Sequence, residues 1–164
     1  MTVTVTAQAY LARSIELATA NVMNSGGPFG AVIVTADGQA FDGVNRVTAT
    51  NDPTAHAEVT AIRQACSELG TFDLSGATLY CSCEPCPMCL ASALWARVSR
   101  VMFAADRHDA AAAGFDDAVF YEYFENDRRD TLMPVGRLQL TDPQAPAALD
   151  PFKAWNSLES RTDY

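Results

Sequence analysis

The sequence predicts an α/β protein in which a mixed sheet lies between layers of helices. Segments with apolar residues at helical spacing alternate with short apolar runs that suit strands. Asp37-Gly38 separates the first two apolar runs, which predicts an initial hairpin. Helix, strand, helix and strand then follow in turn, an order that gives parallel neighbours and helices on both faces. The length of 164 residues fits one domain better than two.

Periodicity and turn residues define the first elements. Apolar residues recur at helical spacing over about 7–24, which predicts an amphipathic helix. Gly and Pro within 26–30 end this helix. The apolar run 31–35 predicts a central strand, and Asp37-Gly38 turns the chain into a second strand over 39–45.

The later elements are bounded by Pro, Gly and polar residues that start or stop helices. They are a helix from Pro53 or Thr54 to Gly70, a strand over 77–82, a helix from Pro87 to about Trp95 and a strand over Val98–Phe103. Beyond residue 105 the patterns predict short helices over 110–113 and 116–125, a short strand over 137–141 and a terminal helix over Pro151–Ser160.

Charge and hydropathy exclude several classes of partner. The net charge is −9 and the basic residues are scattered, which disfavours nucleic acid and favours a small, weakly charged substrate. No apolar run is long enough to span a bilayer. The segment from Met1 to Ala7 has neither the basic part nor the apolar core of a signal peptide, so we expect a cytoplasmic protein.

Four of the five cysteines fall within residues 81–89. In a cytoplasmic protein this clustering favours metal or redox chemistry over a disulfide framework. His56-Ala57-Glu58 lies about thirty residues upstream, and each piece falls where a helix is expected to begin.

Zinc is the metal that this donor set favours. Pro87 at the first helical position makes Cys86 the expected cap and Cys89 a first-turn residue, so their sulfurs can meet beyond the helix end. The amides and dipole there stabilise thiolates. His56 can add a nitrogen if the two helix starts face each other, and thiolate with imidazole suits Zn²⁺.

Two interpretations of the zinc site follow. In a structural site, Cys83 would supply a fourth protein ligand. In a catalytic site, water would take that position and Glu58 would accept its proton. The second is favoured because a structural site has no use for Glu58, and because Cys83 lies at a strand end where it need not converge with the helix-borne thiols.

The compound pattern H-x-E…P-C-x-x-C is the signature of zinc-dependent nucleobase deaminases. It assigns Glu58 as the proton shuttle between water, a ring nitrogen and the leaving amine. The backbone amide of Cys86 or Ala57 would stabilise the developing charge.

The sequence resembles the cytidine deaminase-like superfamily, and more closely the bacterial guanine deaminases, over most of its length. The segments that carry the resemblance are GGPFGAVIV (26–34), NRVTATNDPTAHAEVTAIRQAC (45–66), SCEPCPMC (82–89), DAAAAGFDD (109–117) and PFKAW (151–155). The middle segments are shared with tRNA adenosine deaminases, whereas GFDD and the C-terminal segment discriminate better.

The resemblance implies a three-layer α/β/α sandwich with a five-stranded mixed sheet. It implies that Asn45 and Asp117 bind the edge of the base, that Phe29 and Trp95 stack on it or border it, and that Tyr164 covers it. It further implies one zinc per subunit, and a homodimer in which residues 118–164 form an extension of a single domain (1–164) that is swapped to the partner.

The leading hypothesis is therefore hydrolysis of guanine to xanthine and ammonia. The first alternative keeps the chemistry and changes the substrate to guanosine, cytosine, cytidine or a related aminated heterocycle. A tRNA adenosine deaminase is the second alternative, which the acidic charge disfavours. The third alternative is a binding module without activity, in which zinc only stabilises the fold.

Overall fold

A four-stranded mixed sheet organises the first part of the chain. Its strands are β1 (Gly30–Val34), β2 (Ala40–Val44), β3 (Thr78–Cys83) and β4 (Arg100–Ala105). In space they lie in the order β2-β1-β3-β4. β1 is antiparallel to both β2 and β3, whereas β3 and β4 are parallel. The predicted hairpin and the mixed character of the sheet are confirmed.

The computed structural model describes residues 6–125 and 129–164. Residues up to Glu122 form one compact unit and Tyr123–Tyr164 a second. The N-terminal residues on which the signal-peptide argument rests lie largely outside the described range. The helices are α1 (Ala7–Met23), α2 (Val47–Thr50), α3 (Ala57–Leu69), α4 (Pro87–Trp95), α5 (Arg107–Ala112), α6 (Ala118–Glu125), α7 (Arg129–Leu132) and α8 (Asp150–Ser157).

Alternation along the strands divides the core between the two faces of the sheet. On one face, Val32 and Tyr80 pack against the apolar side of α1. On the other, Ile33 and Leu79 pack against the alanine-rich side of α3 and the end of α4. All four of these strand residues are buried. The predicted arrangement of helices on both faces of the sheet is confirmed.

Glycines let a helix approach the sheet closely on each face. A Cβ at Gly30 would lie 2.3 Å from the carbonyl oxygen of Ser14 in α1. A Cβ at Gly43 would lie 2.2 Å from the carbonyl oxygen of Ala57 and 2.4 Å from the backbone nitrogen of Ala61, both in α3. The first turn of α3 is therefore seated directly on β2, which fixes where this helix begins.

The expectation of a fifth strand is wrong for the described residues. Residues 137–141 alternate apolar and polar side chains, but they form no ladder with any strand. Leu138 is 89 % exposed and Leu140 is 65 % exposed. A strand needs both a pairing edge and a buried face to fix its register, and this segment has neither.

Helix α3 begins later than the sequence predicts. Pro53 and Thr54 belong to a turn in which the side chain of Asp52 accepts hydrogen bonds from the backbone and the hydroxyl of Thr54. This Asx turn competes with helix formation. The helix starts at Ala57, so His56 becomes its N-cap. Gly70 ends it in the left-handed conformation, as predicted.

Within residues 6–125 and 129–164, no helix is long and apolar enough to cross a membrane.

The close seating of α3 on β2 gives a first prediction. We expect Gly43→Ala to lower the free energy of unfolding by about 1–3 kcal/mol, because the added methyl group meets backbone atoms that cannot move aside. Urea unfolding followed by circular dichroism measures this change. Gly136→Ala is the matched control, since no atom lies within 4 Å of the added Cβ. Equal stability of the two variants would contradict the close contact.

Candidate metal centre and active site

Three side chains converge at the starts of α3 and α4. His56 Nδ1 lies 3.7 Å from the sulfur of Cys86 and 3.5 Å from that of Cys89. The two sulfurs are 3.6 Å apart. Within the described part of the chain, these residues form the one group of three or more His, Cys, Asp or Glu side chains able to hold a metal ion.

Local sequence explains why these atoms meet. Cys86 caps α4, Pro87 occupies its first turn and Cys89 follows within that turn, as predicted. His56 caps α3. Helices α3 and α4 pack against each other on the same face of the sheet, so their N-terminal ends are neighbours. Free amides and the positive end of each helix dipole therefore surround the sulfurs and favour thiolates.

The triangle of donor atoms fits tetrahedral zinc. With Zn–S bonds of about 2.3 Å and Zn–N bonds of about 2.0–2.1 Å, tetrahedral angles place the sulfurs about 3.8 Å apart and each sulfur about 3.5 Å from the nitrogen. The observed separations of 3.5 to 3.7 Å agree with these values. Two thiolates and one imidazole are also the donor types that zinc prefers.

Cys83, the alternative fourth ligand, is bonded to a different partner and lies outside the donor group. It lies at the end of β3, and its thiol donates a 3.5 Å hydrogen bond to the carbonyl oxygen of Asp106. Burial raises the pKa of this thiol to about 11, which keeps it protonated. Its sulfur is absent from the donor group. The geometry therefore favours three protein ligands rather than four.

Glu58 lies in the first turn of α3, two residues after His56. It is buried, yet it contributes to the wall of the same cavity as His56. Burial raises the pKa of its carboxyl above the ordinary value for glutamate, because the charged form loses its hydration. A buried carboxylate with a raised pKa beside a metal site has the properties of a general base and acid.

A cavity of about 450 Å³ opens next to the donor group. Its lining includes His56, Glu58 and Cys86 together with three residues expected to bind substrate, Phe29, Asn45 and Asp117. Phe29 meets Phe115 edge to face, with ring centroids 5.0 Å apart. The lining thus combines aromatic rings with a few polar groups, as in sites for small ligands.

Asn45 is held in place by its backbone. Its carbonyl oxygen accepts a 2.9 Å hydrogen bond from the side chain of Asn21, which also donates to the carbonyl oxygen of Gly27. Its backbone nitrogen donates to the carbonyl oxygen of Phe29 at 3.1 Å. Asn21 is buried, so these bonds lock the two cavity-lining segments together. The amide of Asn45 is therefore presented to the cavity by a rigid backbone.

Asp117 is attached to the metal-binding loop through its neighbours. Tyr121, one turn further on, donates a hydrogen bond of 3.1 Å to the carbonyl oxygen of Pro85. The guanidinium of Arg107 lies 4.6 Å from the centre of the Tyr121 ring, and the backbone nitrogen of Arg107 donates to Glu84. Partial burial raises the pKa of Asp117, with Cys86 adding a smaller effect in the same direction.

Two of the residues expected to bind substrate, Ala57 and Trp95, do not line the cavity. Ala57 is buried in the first turn of α3 behind His56. Trp95 lies at the other end of α4 from Cys86, is 70 % exposed and is absent from the cavity lining. Tyr164 belongs to the second unit, where its ring meets that of Trp155 at 6.3 Å.

Sequence reasoning missed several cavity residues, among them Thr48, Glu84, Arg107 and Phe120. Thr48 lies in the short helix α2, which has no apolar periodicity to reveal it. No sequence pattern marks Arg107 as a cavity residue. It follows β4, where the chain turns and its backbone nitrogen donates a hydrogen bond to the side chain of Glu84. Phe115 was part of the GFDD segment but carried no assigned role.

The fold and the donor group together define a zinc-dependent hydrolase of the α/β/α type. Residues 4–105 match the cytidine and deoxycytidylate deaminase zinc-binding region. The chain belongs to this family of zinc-dependent deaminases. It is accordingly an aminohydrolase.

Several proteins resemble the chain more specifically. Guanine deaminase from Bacillus subtilis is 45 % identical over 158 residues, covering 96 % of this chain and 98 % of that protein. Its crystal structure gives a TM-score of 0.88 over 97 % of this chain and 99 % of that one. Guanine deaminase from Nitrosomonas europaea gives a TM-score of 0.64 at 35 % identity, covering 68 % and 65 % of the two chains. The predicted resemblance to bacterial guanine deaminases is confirmed.

Similarity to the tRNA-modifying deaminases is shorter. A tRNA-specific adenosine deaminase from Agrobacterium fabrum is 45 % identical over 78 residues, which is 48 % of this chain and 51 % of that protein.

The cysteine environments predict how metal-free protein reacts with a thiol reagent. A hydrogen bond from Cys89 lowers the pKa of Cys86 to about 4, whereas burial raises the pKa values of Cys66, Cys81 and Cys83. Only the thiolate reacts, so we expect one fast site of alkylation by iodoacetamide per chain at neutral pH, counted by mass spectrometry. Added zinc should suppress this alkylation.

Two variants check the assignment of that fast site. Cys86→Ser should abolish it and Cys66→Ser should leave it unchanged. A fast site that survives in Cys86→Ser would show that another cysteine is the reactive one.

Proposed function

We propose that this protein hydrolyses guanine to xanthine and ammonia. The observation that carries the proposal is that two members of the donor group line one cavity, sized for a small ligand, together with Glu58, Asn45 and Asp117. The similarity to guanine deaminase supports the choice of substrate, because it extends over nearly the whole of both chains.

Deaminases of guanosine, cytosine, cytidine or a related heterocycle are the nearest alternatives, since they would use the same metal site. A tRNA adenosine deaminase is less well supported. Among the described lining residues, Arg107 is the sole lysine or arginine, against four carboxylates. Binding of a nucleic acid strand would need the opposite charge balance.

We assign His56, Cys86 and Cys89 as ligands of one zinc ion per subunit. When bound, zinc supplies a Lewis acid that makes water acidic enough to act as a nucleophile near neutral pH. The Cys83 thiol lines the same cavity, but it is bonded to the carbonyl oxygen of Asp106 and lies outside the donor group, which supports a coordination position that is free for water. A zinc-stapled module without activity would instead require a fourth side chain.

Glu58 is assigned as the proton shuttle. It accepts a proton from water, whose oxygen forms a bond to the ring carbon that bears the amino group. It delivers that proton to the adjacent ring nitrogen, which absorbs the electron pair displaced by the attack. It then transfers the water's second proton to the amine, and the carbon–nitrogen bond breaks to release ammonia. Its raised pKa suits both directions of transfer.

The remaining cavity residues bind and orient the base. The side chain of Asn45 presents an amide to the ring edge, and Phe29 offers an aromatic surface to its face. Asp117 accepts hydrogen bonds from ring N–H or amino groups, a pattern that guanine provides. The backbone amides of Ala57 and Cys86 lie at helix starts where they stabilise negative charge.

We further propose a cytoplasmic homodimer of single-domain chains, in which residues 118–164 form an extension that is exchanged between subunits. Trp95 and Tyr164 would contribute to the substrate site in that assembly. Exposed apolar side chains on α4 and β4 support a partner at this surface, among them Leu94 at 76 %, Met102 at 44 % and Phe103 at 45 % exposure.

A substrate panel tests the proposed reaction. We expect the zinc-loaded protein to release ammonia from guanine with a kcat/KM at least about 100-fold above that for guanosine, cytidine, cytosine or adenine. This factor corresponds to a difference of about 2.7 kcal/mol in transition-state stabilisation. Ammonia release coupled to glutamate dehydrogenase gives the rates. If any other compound of the panel were turned over faster than guanine, the proposed substrate would be wrong.

Three substitutions separate catalytic from structural roles. Glu58→Gln should retain zinc and reduce kcat by at least 10²–10⁴-fold, because the proton shuttle is lost. Cys83→Ser should keep one zinc per chain, whereas Cys86→Ser should lose it. Mass spectrometry measures the zinc content of each variant, and the ammonia assay measures its kcat. Zinc loss in Cys83→Ser would support the structural site instead.

A further inference from the structure

Three side chains close a hydrogen-bonded ring next to His56. Asp52 Oδ1 accepts bonds from the backbone nitrogen of Thr54 at 2.8 Å and from its hydroxyl at 2.6 Å. Arg63 donates from Nη1 to Asp52 Oδ2 at 3.2 Å and from Nη2 to Thr54 Oγ1 at 3.2 Å. We call Asp52, Thr54 and Arg63 the loop clamp.

The loop clamp joins the segment before α3 to the body of the same helix. Arg63 lies in the middle of α3, about two turns beyond His56, while Asp52 and Thr54 precede it. A planar guanidinium that binds two oxygens at once fixes both distance and direction. The segment 52–56 is therefore tied to a helix that Gly43 seats on the sheet.

Backbone bonds carry this constraint to His56. Its nitrogen donates to the carbonyl oxygen of Thr54 at 2.8 Å, and Ala55 donates to that of Asp52 at 3.1 Å. The carbonyl oxygen of Ala55 accepts from Arg46 at 2.8 Å. The turn made by Asp52 and Thr54 thus determines where the chain enters α3 and where the Cα of His56 lies.

Among the described residues, no further hydrogen bond is seen to orient the imidazole. Its contacts are those of Nδ1 with Cys86 and Cys89, and its side chain makes no capping bond to α3. A metal-binding histidine is usually oriented by an acceptor on its second nitrogen. In this protein the position of the imidazole therefore depends on the backbone of residues 52–56.

We propose that Asp52, Thr54 and Arg63 are positioning residues for His56, and that the loop clamp sets the affinity of the site for its metal. This proposal rests on the zinc-binding part of the proposed function and not on the identity of the substrate. Its test therefore measures metal binding, which is independent of whether guanine is turned over.

A second exposed arginine–aspartate pair provides a matched control. Arg13 Nη2 donates to Asp42 Oδ2 at 2.7 Å, between α1 and β2. Its side chains are 44 % and 34 % exposed, compared with 58 % and 36 % for Arg63 and Asp52. Exposed pairs of this kind contribute little to stability, so loss of either should have a similarly small effect on unfolding.

The experiment compares Arg63→Met with Arg13→Met in the full chain. Competition with a chromophoric chelator gives the zinc dissociation constant. We expect roughly a tenfold increase for Arg63→Met, as for residues that orient metal ligands, and no more than twofold for Arg13→Met. The absorption bands of the Co²⁺-substituted protein should shift in Arg63→Met alone, because the position of the imidazole has changed.

Thr54 supplies a second pair of variants in which the side chain of Arg63 is unchanged, although the hydroxyl of Thr54 is one of its two acceptors. Thr54→Val removes the hydroxyl at nearly constant shape and should weaken zinc binding, whereas Thr54→Ser keeps the hydroxyl and should restore it to within twofold of the parent. Equal zinc affinity in the parent, Arg63→Met and Thr54→Val would overturn the proposal. So would an equal loss in Arg63→Met and Arg13→Met, which would mark a general effect on folding.

Discussion

The N-terminal ends of α3 and α4 lie side by side, and the chemistry of the site depends on this contact. Each helix carries its functional residues at the cap or in the first turn, where amides and the helix dipole favour anions. A shift of either helix by one turn would move its ligands by about 5.4 Å, far outside bonding distance. Gly43 limits such a shift, because α3 sits directly on the backbone of β2.

This dependence on helix ends explains why the sequence was informative about the metal site. Pro87 starts α4, so the positions of Cys86 and Cys89 follow from local geometry alone. For His56 the pattern predicts the helix but not its first residue, because the Asx turn at Asp52 delays the start. The spacing of the motifs suggests that α3 and α4 converge. Their actual positions depend on how both helices pack on the sheet.

The prediction was weaker wherever no local rule applies. Residues 137–141 have the alternation of a strand, but pairing depends on a free sheet edge, which a sequence pattern does not reveal. The role of Trp95 stays a prediction that only the family resemblance carries, because no local rule relates the far end of α4, where it lies, to the base. Arg107 reaches the cavity through a turn that bonds to Glu84, a contact between residues 23 positions apart.

Along the chain, the residues that we propose to bind the base are divided between two segments, since Phe29 and Asn45 precede the metal-binding loop and Asp117 follows it. The family match ends at residue 105 and already contains the three ligands and Glu58. Asp117, Phe115 and Arg107 follow that boundary, and the similarity to guanine deaminase continues through them, whereas the match to tRNA deaminases covers about half of the chain. Tyr121 then anchors this later segment to the carbonyl oxygen of Pro85, one residue before a ligand. In the proposed function, Asp117 therefore contacts the base from a segment that is hydrogen-bonded to the metal-binding loop but contributes no ligand to it.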